Sequence, residues 1–442
     1  MSSPFLLCQE DWLCLSFLSG IGPARLSRLF AYLSDLDESQ ETHPHSLMLD
    51  RYVLEDHLKS SNIKSKQLDS VLSYEVLRSL KWPDITAREA MAFLSTGKLS
   101  DEQEKKRQDT LAWLDQKNHH LILPTHPDYP EALKQISVAP VLLYVRGNLS
   151  ALTAPKIGIV GARRCSNYGR DMAFHLAYEL SILGISIVSG GAMGVDTAAH
   201  QGALTSNMTP SIAVMGTGLK HLYPQKNTSL FEQLLDQKGV LISEYPLTTT
   251  PRPSLFPPRN RIISGLSMGV LVAEASIKSG SLISASYAVQ QNREVFALPG
   301  RINDANSAGC HQLIRQGATL VRSVQDILDE CPAECLSMNN VKAHDESGKK
   351  DAIERSPTIS DAYVSQITLF GKDKEFKAKQ APESLSSSAK QIINYVDEQA
   401  RSVDFDELVR ASKLNASELM QALIELELSA CLENKDGRYF RV

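Results

Sequence analysis

Between residues 156 and 298, short and almost wholly apolar runs alternate with longer stretches whose apolar positions recur every three or four residues. The runs are Ile157–Val160, Ile185–Ser189, Ile212–Met215, Val240–Ser243, Gly269–Ala273 and Glu294–Leu298. Such runs, with no polar alternation, are strands buried on both faces, and the stretches between them are the helices that cover the sheet. The pattern predicts a parallel sheet in an α/β domain. Upstream, His120–Pro124 and Val141–Gly147 read as two more short strands, and residues 5–115 read as short helices. Within those helices the stretch "LSGIGPARLSRLF" (Leu18–Phe30) has the Gly-x-Gly turn of a helix-hairpin-helix. That turn either presents backbone N–H groups to a DNA phosphate or only joins two helices, with Pro23 at a first helical position.

Residues 336–384 lose all periodicity. Ser, Lys, Asp and Glu dominate there, as in a flexible linker. Periodicity returns in "SSSAKQIINYVDEQ", "DFDELVRAS" and "NASELMQALIELEL", three helices, followed by "ACLENKDGRYFRV", a hairpin turning at Asp436-Gly437. Three helices and a hairpin in so short a tail predict a winged helix. The helix in the recognition position carries Glu418, Glu425 and Glu427 and no base, so contacts with protein rather than with DNA are expected of it; Lys435, Arg438 and Arg441 on the hairpin are the contrary signal. The expected organisation is an N-terminal helical domain (1–115), a sheet domain (116–335), a linker (336–384) and a winged helix (385–442).

Composition narrows the function. The chain has 442 residues, and 43% of them are hydrophobic, enough for globular cores. No apolar run is long enough to span a bilayer, and acids interrupt the apolar start, so neither a membrane span nor a signal peptide is expected. Seven dispersed cysteines read as reduced thiols of a cytoplasmic protein. Cys331 and Cys335 lack the second pair a zinc site needs, and no metal or cofactor is expected. The net charge is −5, but residues 156–330 hold 15 Lys and Arg against 12 acids and form the one positive segment. An anion partner therefore belongs on the sheet domain.

The candidate chemistry lies in the loops that leave the carboxyl ends of the strands, where open α/β sheets bind ligands. The first strand opens "KIGIVGARRCSNYGRD", which has no Gly-x-Gly-x-x-Gly, and the second ends in Ser189-Gly190 where a dinucleotide-binding protein has a ribose-binding acid. No Gly-Lys pair is followed by Ser or Thr, which excludes a P-loop. What remains is a set of small-residue loops: Gly161 to Ser166, Gly190-Gly191, Gly216-Thr217-Gly218, and Lys278-Ser279-Gly280-Ser281 ahead of a helix. Such loops allow backbone N–H groups to approach a phosphate. The stretch "PRPSLFPPRNRIISG" (Pro251–Gly265) adds Arg252, Arg259 and Arg261 with no acid, and Phe256 to stack on a base. It reads as a basic loop; if Arg261 is structural instead, Glu244 and Glu274 are the acids it would brace against. In "VSGGAMGVDTAAHQGAL" (Val188–Leu204), Asp196 and His200 share a helix face, but no nucleophile accompanies them. Asp196 reads as an N-cap and His200 as a buried helix residue.

In order along the chain, "IVGARRCSNYGR", "VSGGAMGVDTAAHQGAL", "GTGLKHLYPQKN", "ISEYP", "FPPRNRIISGLS", "VAEASIKSGSLISA" and "REVFALPG" resemble the DNA-processing protein A (DprA, or Smf) family of bacteria. The resemblance covers roughly residues 120–330. It implies an extended Rossmann-like fold, flanked here by a helical domain (SAM- or helix-hairpin-helix-like) and a winged helix. It also implies single-stranded DNA as ligand, loading of the RecA recombinase onto incoming strands in natural transformation, and a homodimer. Carried over, it places Arg163, Ser166, Arg170, Gly190, Gly191, Arg259, Asn260, Arg261, Lys278 and Ser279 at or near the DNA, and Leu313 and Ile314 at the dimer interface. The chain departs from the family's usual pattern at Met193, Val195 and Pro258. No catalytic residue is implied. The alternative is an enzyme of the nucleoside-monophosphate phosphoribohydrolase type, which shares a related fold and a Gly-Gly loop; its Pro-Gly-Gly-x-Gly-Thr-x-x-Glu motif is missing here, although Glu274 stands near Gly280.

Overall fold

The computed structural model describes residues 7–38, 71–331, 385–399, 403–412, 414, 416–429, 431–435 and 438–441. The expected linker over 336–384, Cys335 and the Asp436-Gly437 turn lie outside the described residues. The chain divides into two compact units, residues 1–346 and 347–442.

The first unit is built on a nine-stranded sheet: β1 (His119–Ile122), β2 (Leu143–Gly147), β3 (Lys156–Gly161), β4 (Ser186–Ser189), β5 (Ile212–Val214), β6 (Val240–Ser243), β7 (Gly269–Glu274), β8 (Glu294–Ala297) and β9 (Thr319–Leu320). Their order is β1-β2-β6-β5-β4-β3-β7-β8-β9. The seven strands from β6 to β9 run parallel, and β1 and β2 extend the sheet as an antiparallel margin. All six apolar runs are strands. β9 is the strand the pattern did not show, because two residues carry no periodicity.

Alternation along each strand sends side chains into two cores. On one face Val160, Val188, Val214, Ile242 and Val272 meet Ile262, Ile263 and Leu266 of the helix Phe256–Leu266. On the other, Ile157, Ile159, Ile187 and Leu271 meet Leu176 and Leu180 of the helix Asn167–Ile182 and Ala199 and Ala203 of the helix Val195–Ser206. Each such Val, Leu or Ile contributes roughly 1.5–3 kcal/mol by leaving water. The two helices pack so closely that a Cβ on Gly202 would sit 2.2 Å from the carbonyl oxygen of Phe174.

The front helices are Gln9–Leu15, Pro23–Glu38, Tyr74–Ser79, Asp84–Thr96 and Asp101–Leu114. They do not form a separate body. Trp12, Leu29, Trp82 and Trp113 share one apolar cluster with Tyr144 of β2, Leu241 of β6 and Phe231. The expected boundary at residue 115 is therefore no break in the packing. The Gly-x-Gly turn serves this assembly: Thr86 Oγ1 donates to Ser19 O at 2.6 Å and Arg25 Nη1 donates to Gly20 O at 2.7 Å.

The second unit is a winged helix. The helices Ser387–Gln399, Phe405–Ser412 and Ala416–Leu428 enclose Ile392, Leu408, Leu419 and Leu426, and a three-stranded sheet of Val403–Asp404, Leu432–Lys435 and Arg438–Arg441 closes it. Glu425 accepts hydrogen bonds from Ser386 N at 2.8 Å and Ser386 Oγ at 2.5 Å. One acid of the expected recognition helix thus caps its neighbour.

Candidate nucleic-acid interface

Parallel strands β4 and β7 flank β3, and the chain winds away from β3 in opposite directions along the sheet. At such a switch point the loops leaving adjacent strands part and open a crevice. Here hydrogen bonds tie the loop after β3 to the ends of its neighbours and fix the floor of that crevice. Ala162 N donates to Glu274 O at 2.8 Å, and Val195 N donates to Ala162 O at 3.2 Å. The Glu274 carboxylate, 3% exposed, accepts from Ser166 N at 3.0 Å and Ser166 Oγ at 2.5 Å. Ser166 Oγ in turn accepts from Gly169 N at 3.1 Å, capping the helix Asn167–Ile182. An anion at a helix N-terminus is in its favoured place.

The crevice has a volume of about 640 Å³. Its mouth carries Arg163, Arg164 and Arg252, all exposed. Inside, the Arg163 guanidinium lies 5.5 Å from the centre of the Phe256 ring, whose centroid is 5.6 Å from that of Tyr223. Phe256 is seated by Gly216: a Cβ there would come within 2.7 Å of the ring. On the β7 side, Ser279 and Gly280 precede the helix Ser281–Gln290 and line the crevice, with open space beside Gly280. Asn260 Nδ2 donates to Gly280 O at 3.4 Å across it. Lys278 is exposed beside Ser279. Among the described residues, no ion pair engages Arg163, Arg252 or Lys278.

Several expected contacts lie elsewhere. The stretch Pro251–Gly265 is mostly the helix Phe256–Leu266, not a loop, because Pro257 and Pro258 occupy its first turn, where a missing N–H costs nothing. That helix turns both of its arginines inward. Arg259 is 4% exposed and Arg261 is 6% exposed. Arg259 Nη1 donates to Gly190 O at 2.8 Å and also to Val214 O. Burial pushes its guanidinium down to about 10, against the pull of Asp196. It forms part of the crevice wall. Arg261 grips Glu244 with both Nη atoms, at 2.7 and 2.6 Å, and donates from Nε to Val138 O at 2.9 Å.

The Gly-Gly loop is likewise an interior turn. A Cβ on Gly190 would meet the Arg259 guanidinium at 2.5 Å; Gly191 has φ +64° and Phe231 at 2.6 Å. Asp196 Oδ2 accepts from Gly190 N at 3.1 Å and Ala192 N at 3.2 Å, so the amide expected to meet a phosphate is already paired. Burial raises the Asp196 carboxyl above its ordinary value. The N-cap of its helix is Gly194, and Asp196 caps the preceding turn instead. His200 is fully buried, its Nδ1 2.8 Å from Ser211 Oγ, and burial pushes the ring down to about 3. Neither residue is arranged for chemistry. Ser166 and Gly191 also lie outside the crevice lining, as does Arg170, whose Nη2 donates to Asn167 Oδ1 at 2.7 Å. The crevice thus gathers Arg163, Asn260 and Ser279 from the expected set, with Arg259 behind them. Tyr223 was missed; its signal was an aromatic beside proline in a loop leaving the carboxyl end of β5.

Leu313 and Ile314 lie on the helix Ala308–Arg315, half-buried against the sheet core. Leu320 of the neighbouring edge strand β9 is 40% exposed. Among the described residues, no helix is long and apolar enough to cross a membrane.

This sheet order defines an extended Rossmann-like protein. A family model described as DNA recombination-mediator protein A matches residues 120–332, and one described as the DprA winged helix domain matches residues 376–438. The Smf protein of Synechocystis is 35% identical over 335 residues, 74% of this chain and 81% of its own. The DNA processing protein DprA of Streptococcus pneumoniae is 47% identical over 206 residues, 46% of this chain and 71% of its own. An X-ray structure of DNA processing protein A from Streptococcus pneumoniae superposes with a TM-score of 0.57 at 31% identity, covering 74% of this chain and 99% of that one. The chain belongs to the DprA/Smf family.

Proposed function

We propose that the protein processes DNA in transformation and recombination by holding single-stranded DNA in the switch-point crevice. The observation that carries this reading is the set of cations that no ion pair engages among the described residues: Arg163 and Arg252 around the Tyr223–Phe256 ring pair, and Lys278 exposed beside Ser279 at the margin. Cations without internal partners gain most from a polyanion, and base faces reach rings inside a crevice only when the strand is unpaired. Backbone phosphates meet Arg163, Arg252, Lys278 and the Ser279–Gly280 turn, with Asn260 beside them. Arg259, Gly190 and Asp196 act as the frame behind these contacts. Binding is sequence-tolerant and salt-sensitive.

We read the site as a binding site without catalysis, since Glu274 and Asp196 are occupied by the hydrogen bonds that shape their own loops. The family likeness supports loading of RecA onto the held strand, a cytoplasmic site of action, and a homodimer through Leu313, Ile314 and the β9 edge. It also supports a sheet domain followed by a winged helix that contacts protein, with the helices before residue 115 packed onto the sheet domain and a linker between the two units.

The test is a filter-binding series with single- and double-stranded oligonucleotides across salt concentrations. The wild-type chain should prefer the single strand. A variant carrying Arg163→Ala and Arg252→Ala should keep its melting temperature and flatten the salt slope by roughly 1.4, about 0.7 per lost contact. An unchanged slope would remove the strand from this crevice.

A further inference from the structure

The helix Phe256–Leu266 has a second cleft on its other side. Phe256, Pro257 and Asn260 face the crevice already described, whereas Leu255, Pro258 and Arg261 line a separate cleft of about 500 Å³. Its far wall is the start of the front helix Pro23–Glu38, which contributes Arg25 and Arg28, and its floor includes Tyr287 and Gln290 of the helix Ser281–Gln290. The spacings 255, 258, 261 and 256, 260 are the two sides of one helical turn.

We propose that the strand held in the crevice continues over the exposed Pro257 and Pro258 into this second cleft, where Arg25 and Arg28 take backbone phosphates and Tyr287 takes a base. This rests on the reading of the crevice as a single-strand site. Three observations carry it. First, no ion pair engages Arg25, Arg28 or the adjacent Lys81 among the described residues, so this mouth is cationic. The cleft's one acid, Glu244, is already neutralised by both Nη atoms of Arg261. Second, Arg25 and Arg28 are pre-oriented without being used up. Arg25 donates from Nε to Lys81 O at 3.1 Å and from Nη1 to Gly20 O at 2.7 Å, and Arg28 Nη1 donates to Leu80 O at 2.8 Å, while a guanidinium has five donors. Third, Tyr287 is half-buried in the cleft, and its hydroxyl makes no hydrogen bond to the described residues. A helix with its side chains is roughly 10 Å across, so about three nucleotides cross the ridge between the clefts. The front helices then lengthen the track, and the Gly-x-Gly turn acts by placing the arginines, not by offering its own amides.

The experiment compares full-length variants on oligothymidylates of about four and about sixteen nucleotides. Arg25→Ala with Arg28→Ala should bind the short oligomer as wild type does. It should bind the long one about tenfold more weakly, with a salt slope flattened by roughly 1.4. Tyr287→Ala, on the cleft floor, should weaken the long oligomer about tenfold with its salt slope kept, and Tyr287→Phe should restore it. If the arginine pair lowers the melting temperature by releasing its carbonyl partners, the Tyr287 variants decide. Wild-type affinity and slope for the long oligomer in the folded variants would overturn the second cleft. Equal losses on both lengths would overturn the order of the track. Failure of the wild-type chain to bind either oligomer would instead strike the crevice itself.

Discussion

Three arginines expected at the DNA do three different things, and burial separates them. Arg163 is exposed above an aromatic ring, Arg259 holds the Gly-Gly loop and the end of β5 by their carbonyls, and Arg261 is locked to Glu244. Removing one partner from a buried, doubly bonded ion pair leaves the other charge stranded, which costs about 3–5 kcal/mol. Arg261→Ala should therefore lower the melting temperature sharply, while Arg163→Ala should leave it within a degree or two and weaken single-strand binding instead. Differential scanning calorimetry beside filter binding separates the two, and an Arg261→Ala protein of native stability would contradict the role assigned to the pair. The sequence showed the basic stretch and even named Glu244 as a bracing acid. It did not show which way each side chain turns, because Pro257 and Pro258 resemble a loop and are equally at home in a first helical turn. The Gly-Gly loop misled for a similar reason. A small residue signals close approach, but not whether the approaching group is a phosphate or, as here, the protein's own guanidinium.

At the scale of elements, the strands were legible because six of them are buried on both faces and read as unbroken apolar runs. The helix Val195–Ser206 was legible as a helix, and its His200 as a buried residue; the partner was not, since Ser211 lies beyond a turn. His200 Nδ1 meets Ser211 Oγ, which itself donates to Ile187 O at 3.0 Å, tying the helix to the entrance of β5 and to β4. This tie has a pH dependence of definite sign. The unfolded imidazole takes up a proton below its ordinary 6.5, whereas the folded one stays neutral down to about 3. Falling pH therefore favours the unfolded chain across that window, by about 1.4 kcal/mol per unit, or about 2 kcal/mol at pH 5. In urea unfolding, His200→Gln should lose about 2 kcal/mol less than wild type between pH 7 and pH 5. Equal losses would mean that the native ring already carries the proton.

For the whole molecule, the proposed homodimer turns on one margin of the sheet. Leu313→Arg with Ile314→Arg should give a folded monomer with weaker affinity for long single strands, since two linked grooves hold one strand by effective concentration. Size-exclusion chromatography with light scattering reads the mass directly, and a variant that stays dimeric would move the interface elsewhere. The two margins of the sheet are not alike. At β1 the side chain of Gln9 donates to the carbonyl of Leu121, and Trp113 lies edge-on to His119 with ring centroids 4.4 Å apart, so the front helices close that side. At β9 two residues end the sheet, and among the described residues no strand follows them. Edge-to-edge growth needs two open ends per copy. With one end sealed by its own chain, a copy that joins another through β9 has no second end to offer. The proposed assembly by this route would stop at a pair and would not grow into a filament of its own.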